Sequence, residues 1–221
     1  MRIFLATVVA DEIRWAAEAG LLDGIVATPA VLAAELPHAD PREVIAELSE
    51  RDSYPIFASV GSLDADEITR GGRALAKITE HVIIAIPFVE DALPAIRRLS
   101  TAGVRCAATL VHSTAQGLLA ARAGASLVVV AVDALEAIGQ SSDHVIRELR
   151  ESFDRSAVEC DVVAAGPASA TRFAEVAAAG ADAVVVTPAT LRSFLQHPLT
   201  DRGVDRFLGD VSRRAKPRRA R

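Results

Sequence analysis

Residues 104–132, VRCAATLVHSTAQGLLAARAGASLVVVAV, read as strand, helix and strand in succession. Cys106 to Thr109 is a short apolar run, and Ser113 is a helix-capping residue type. Ala115 to Ala123 has helical composition, Gly124 stops it, and Leu127 to Val132 is almost unbroken in β-branched residues. Two strands joined through a helix lie parallel, and strands apolar on both sides are covered on both faces.

The same unit recurs along the chain. Candidate strands are Ile3 to Ala6, Gly24 to Ala27, Ile56 to Val60, Val82 to Ile86, Cys106 to Thr109, Leu127 to Val132, Asp161 to Ala165 and Ala183 to Thr187. Helical patterns fall at Asp11 to Glu18, Arg42 to Glu50, Ala65 to Ile78, Asp91 to Leu99, Ala115 to Ala123, Asp143 to Phe153, Ala170 to Ala178 and Pro188 to Leu195. Eight βα units predict an α/β fold, a single (β/α)8 TIM barrel over residues 1–199. Gly20, Gly103, Gly124 and Gly180 each follow a helix and are placed to end it. Residues 200–214 repeat Val204, Phe207, Leu208 and Val211 at helical spacing, which predicts an extra C-terminal amphipathic helix that covers the barrel or docks on a neighbouring subunit. Residues 215–221 are a basic tail, expected to be disordered.

The 221 residues, 51% hydrophobic with mean hydropathy +0.28, suffice for one large core. Cys106 and Cys160 are too few for a disulfide framework, the first residues do not read as a secretory leader, and no apolar run approaches a membrane span. A cytoplasmic protein without a membrane partner is expected. The last nine residues hold six basic side chains, leaving 18 basic against 29 acidic ones elsewhere, a net of −11. Such a body is a poor nucleic-acid partner.

Three further stretches carry a resemblance: GIVATPAVLAAE from Gly24, TLVHSTAQGLLAARAGASLV from Thr109 and HPLTDRGVDRFLGDV from His197. With VIIAIP on strand 4, they resemble the transaldolase/fructose-6-phosphate aldolase family from Met1 to Val211. The resemblance implies a class I aldolase barrel in carbohydrate metabolism, with an inward lysine on strand 4 forming an imine with a ketose. That position is Ala85, and the chain has only two lysines, Lys77 before strand 4 and Lys216 in the tail.

Carried over residue by residue, the family's strand-1 aspartate falls on Ala6 and its strand-2 asparagine on Thr28. The strand-3 glutamine, strand-5 threonine and strand-6 tyrosine fall on Ser59, Thr109 and Ala131, so that Thr109 alone is retained. The phosphate-binding arginine falls on Ala134 and its serine partner on Gly166. Lysine, acid, tyrosine and arginine absent together read as natural divergence toward a pseudoenzyme or a repurposed barrel. The resemblance also implies a homo-oligomer held in part by the C-terminal helix.

A wider, more apolar mouth should result, lined by Ala6, Thr28, Ser59, Ala85, Thr109, Ala131, Gly166 and Ser169, where a small-molecule ligand could sit. Backbone N–H groups near Gly166 to Ser169 could favour an anion. His112 and Asp133 are the candidate acid–base pair, against the simpler reading of a loop histidine and a helix-start aspartate. Ser113 reads as an N-cap rather than a nucleophile, and Cys106 as core facing the helices. Metal-ligand spacings and Gly-rich phosphate motifs are lacking, so no cofactor or metal is expected. Two functions compete: a binding or scaffold barrel without transaldolase activity, and a divergent lyase, isomerase or cyclase using non-Schiff-base chemistry at the mouth.

Overall fold

A computed structural model describes residues 1–51 and 53–215. Strands β1 (Arg2–Leu5), β2 (Gly24–Ala27), β3 (Ile56–Ala58), β4 (Val82–Pro87), β5 (Cys106–Val111), β6 (Leu127–Ala131), β7 (Asp161–Ala165) and β8 (Ala183–Val186) pair in chain order. Every pairing is parallel, and β8 returns to β1 with Phe4 opposite Val185, which closes the barrel. The fold is a (β/α)8 TIM barrel, as the strand pattern requires.

Its helices are α1 (Ala10–Glu18), α2 (Pro29–Glu35), α3 (Pro41–Arg51), α4 (Ala65–Leu75), α5 (Leu93–Thr101), α6 (Thr114–Ala123), α7 (Val132–Ala137), α8 (Ser142–Ser156), α9 (Ala170–Ala178), α10 (Pro188–Phe194) and α11 (Pro198–Ala215). Two of these, α2 and α7, were not expected from periodicity. Each spans fewer than two turns, too short for a 3.6-residue pattern to declare itself, and α2 starts instead on Pro29 at its first turn. Both follow strand ends and so build the C-terminal face. Helix α4 ends at Leu75 rather than Ile78, and β3 at Ala58 rather than Val60. The four helix-ending glycines all take positive φ.

Alternation along the strands divides the core into two layers. Leu5, Ile25, Ile56, Ile84, Cys106, Val128, Val162 and Val184 face the helices. Phe4, Val26, Phe57, Ile83, Ala85, Ala107, Leu127, Val129, Val163 and Ala183 fill the interior. Phe4 and Phe57 meet edge to face with centroids 5.0 Å apart. The Phe4 ring lies where a side chain on β2 would stand: a Cβ at Gly24 would fall 2.1 Å from Cδ1. The interior of the barrel is therefore packed at this level.

Helix α11 does not cover the barrel. Val204, Phe207, Leu208 and Val211 are 49, 64, 54 and 48% exposed on one face. The basic-tail expectation for residues 216–221 lies outside the described residues. Among the described residues, no helix is long and apolar enough to cross a membrane.

Candidate active site at the barrel mouth

The strand parity that buries Ile83 inside the barrel also turns Ala85 inward, two residues nearer the C-terminal end of β4. Ala85 is 3% exposed and pairs with Ala107 on β5. Across the β3–β4 seam, Ser59 Oγ donates to the Ala85 carbonyl at 3.0 Å, so this hydroxyl is spent on the backbone. Beside them opens a cavity of about 270 Å3, lined by Pro29, Ser59, Val60, Leu63, Ala85 and Pro87 among others. Its wall is mostly apolar, and it contains no amine.

Other predicted residues stand around the same rim. Ala6 follows β1 and packs on the interior layer, Thr28 is the N-cap position of α2, and Ala131 ends β6. Thr109 is half-buried opposite Pro87, and its carbonyl accepts the Phe88 N–H at 2.9 Å. Ser113 and Ser169 cap α6 and α9, their Oγ atoms accepting the N–H of Gln116 and of Arg172 at 3.3 and 3.1 Å. Cys106 is fully buried in the layer that faces the helices.

The structure does not join His112 to Asp133, and no hydrogen bond links them among the described residues. The His112 N–H is held by Gln116 Oε1 at 2.8 Å. Asp133 Oδ1 accepts the N–H of Ala134 at 2.8 Å, a helix-start contact in the first turn of α7. Its carboxylate also lies over Gly166: a Cβ there would fall 3.0 Å from Cγ and 3.2 Å from each oxygen. Gly166 has φ +78°, where L side chains are strained. An anion approaching the β7–α9 turn would meet this negative charge, which weakens the expectation of an anion site at Gly166 to Ser169.

Arg172, in the first turn of α9, does not compensate. Its mostly buried guanidinium donates to Asp143 at 2.9 Å, Glu175 at 2.6 Å, Ser142 Oγ at 2.6 Å and Glu136. Burial alone would lower its pKa, but the hydrogen bonds to Asp143, Glu175 and Glu136 outweigh that and raise it above the ordinary value. The residue is a permanent cation already matched to three carboxylates, and it ties α7, α8 and α9 together.

Sequence reasoning missed a second polar brace. Thr7 is fully buried after β1 and donates to the Glu35 carboxylate at 2.8 Å, while Val8 N–H reaches the same group at 2.7 Å. Nothing in the chain order signals it, because the partners are 28 residues apart on separate βα units. Lys77, by contrast, is where the sequence put it: exposed just before β4, at the end of the barrel opposite the mouth. Among the described residues no group of three or more His, Cys, Asp or Glu could hold a metal ion.

Residues 3–217 match the model of the family described as transaldolase/fructose-6-phosphate aldolase. The chain belongs to that family. A probable transaldolase of Desulfotalea psychrophila is 37% identical over 217 residues, covering 98% of this chain and all of that protein. One from Alkaliphilus metalliredigens is 36% identical, covering 95% and 97%. Among solved structures, a chain of a designed cube-shaped protein cage superposes with TM-score 0.58 at 15% identity, covering 96% of this chain and 77% of that one. FabK from Thermotoga maritima superposes at 0.54 and 20% identity, covering 83% and 56%. At those identities the two structures speak for the barrel alone. Family membership accounts for the shared frame.

Proposed function

We propose that this member of the transaldolase/fructose-6-phosphate aldolase family does not perform Schiff-base aldol chemistry and that its barrel mouth binds a small molecule by other means. One observation carries the reading: the inward, C-terminal position of β4 is Ala85 at the edge of an apolar cavity, and the described lysine, Lys77, is at the far end of the barrel. An imine needs an amine at the site, and a useful one needs a desolvated pocket to lower its pKa. The apolar cavity is present, but among the described residues no lysine stands at it.

The positions matched to the family's acid, tyrosine, arginine and serine are Ala6, Ala131, Ala134 and Gly166, so restoring a lysine at position 85 would leave proton transfer and phosphate binding without their groups. The divergent-enzyme alternative would use His112 and Asp133, between which no hydrogen bond runs among the described residues. The exposed apolar face of α11 supports a homo-oligomer in which this helix docks on a second copy.

The test is borohydride trapping with fructose 6-phosphate and with dihydroxyacetone, read by intact mass. An unmodified mass is expected. A reduced adduct overturns the reading.

A further inference from the structure

The cavity beside Ala85 has a wall of narrow chemistry. Pro29, Leu63, Ile68, Ala85, Ile86 and Pro87 line it with hydrocarbon, and none of the described residues in its lining carries a charge. Neither proline has a backbone N–H to give. The two side-chain hydroxyls in the wall have already given their protons, Ser59 to the Ala85 carbonyl and Ser62 to Glu67 Oε2 at 2.7 Å. Ser62 Oγ also accepts the Asp64 N–H at 3.1 Å. Helix α4 starts at this rim, and a helix start ordinarily draws anions through its free N–H groups. Here Asp64 is the N-cap, and its Oδ1 accepts the N–H of Asp66 at 3.0 Å and of Glu67 at 2.8 Å. The position an anion would take is filled by the chain's own carboxylate, and Asp66 and Glu67 add charge of the same sign in the first turn.

We infer that this cavity takes an uncharged, largely apolar molecule and turns away phosphorylated ones. The inference rests on the reading of the mouth as a small-molecule site and names the ligand class of that site. A phosphate or carboxylate entering it would leave water, find no cation in the wall and meet a helix start already capped by a carboxylate. An ammonium gains little, because Asp64, Asp66 and Glu67 lie outside the lining and are exposed to solvent. Burying a charge without a partner is costly, whereas apolar surface gains by leaving water. A cavity of about 270 Å3 is at the small end for ligand sites, which suits a body the size of a fused bicyclic ring.

The probes are naphthalenemethanol, naphthoate and naphthylmethylammonium, substituted at the same ring carbon, together with fructose 6-phosphate. Each is titrated by calorimetry against the full chain and its variants. The alcohol should bind about tenfold tighter than either ion, and fructose 6-phosphate should not bind. Ala85→Phe fills the cavity and should weaken the alcohol about tenfold. Leu63→Lys, at a position 54% exposed, sets a cation on the rim outside the core and should shift the preference toward naphthoate about fivefold. Leu119→Gln, on α6 and outside the lining, should leave every affinity within about twofold. Tighter binding of either ion or of fructose 6-phosphate than of the alcohol, lost in Ala85→Phe, refutes the ligand class and leaves the mouth as a binding site. Binding of no probe, or binding that neither Ala85→Phe nor Leu63→Lys changes, overturns the ligand class and the reading of the mouth together.

Discussion

Replacing Gly166 by alanine tests the geometry of the β6–β7 side of the mouth. At φ +78° the added Cβ costs about 1–2 kcal/mol in backbone strain, offset by roughly 0.5–1 kcal/mol because the unfolded chain loses the freedom of glycine. The new methyl would stand 3.0 Å from Asp133 Cγ, so the exposed carboxylate must swing away. Moving it gives up the Ala134 N–H bond, worth about 1 kcal/mol. The net is a loss of about 1–2 kcal/mol, which for a domain of this size lowers Tm by roughly 2–8 °C. A double-mutant cycle with Asp133→Ala isolates the contact. In that background Gly166→Ala should cost about 1 kcal/mol less, measured by denaturant unfolding. Equal cost in both backgrounds, or a stabilised Gly166→Ala, would show that the carboxylate does not lie on the turn and would remove the argument against anions there.

Burial pushes the Cys106 thiol up to about 12, and burial together with the nearby Asp161 carboxylate does the same to Cys160. Neither should react with Ellman's reagent at pH 8 in the native protein, and both should react in denaturant; rapid native labelling would contradict their placement. The sign for stability follows. The unfolded chain releases these protons from about pH 9, whereas the native chain holds them to about 12, so stability is lost as pH rises between those values. A Cys106→Ala/Cys160→Ala variant should lose less over that interval. Truncation after Leu199 removes the exposed face of α11 and should lower the native mass in light scattering; an unchanged mass would count against assembly through this helix.

Much of the barrel was legible because its strands are covered on both faces. Val128 to Val130 and Val184 to Val186 are apolar at every position, a pattern that a half-exposed sheet cannot carry. The resemblance to the family then placed Ala6, Ala85 and Ala131 toward the interior, and the layer that contains Ala85 agrees with strand parity. Parity fails where the strand is irregular. It would bury Leu110 against the helices, and no glycine or proline in CAATLV announces the irregularity that leaves it 56% exposed at φ +59°. Partners joined by long-range hydrogen bonds were equally hidden: Thr7 with Glu35, and Arg172 with carboxylates on α7 and α8, are set by how separate βα units pack rather than by local spacing. The possible anion site at Gly166 was argued from backbone alone and could not foresee the Asp133 side chain above it.

The most direct test of the central claim is the mass of the intact chain after incubation with dihydroxyacetone or fructose 6-phosphate and reduction with borohydride. With Ala85 on β4 and Lys77 at the far end of the barrel, the mass should stay that of the unmodified protein. A substrate-dependent increase mapping to any residue at the mouth would contradict it.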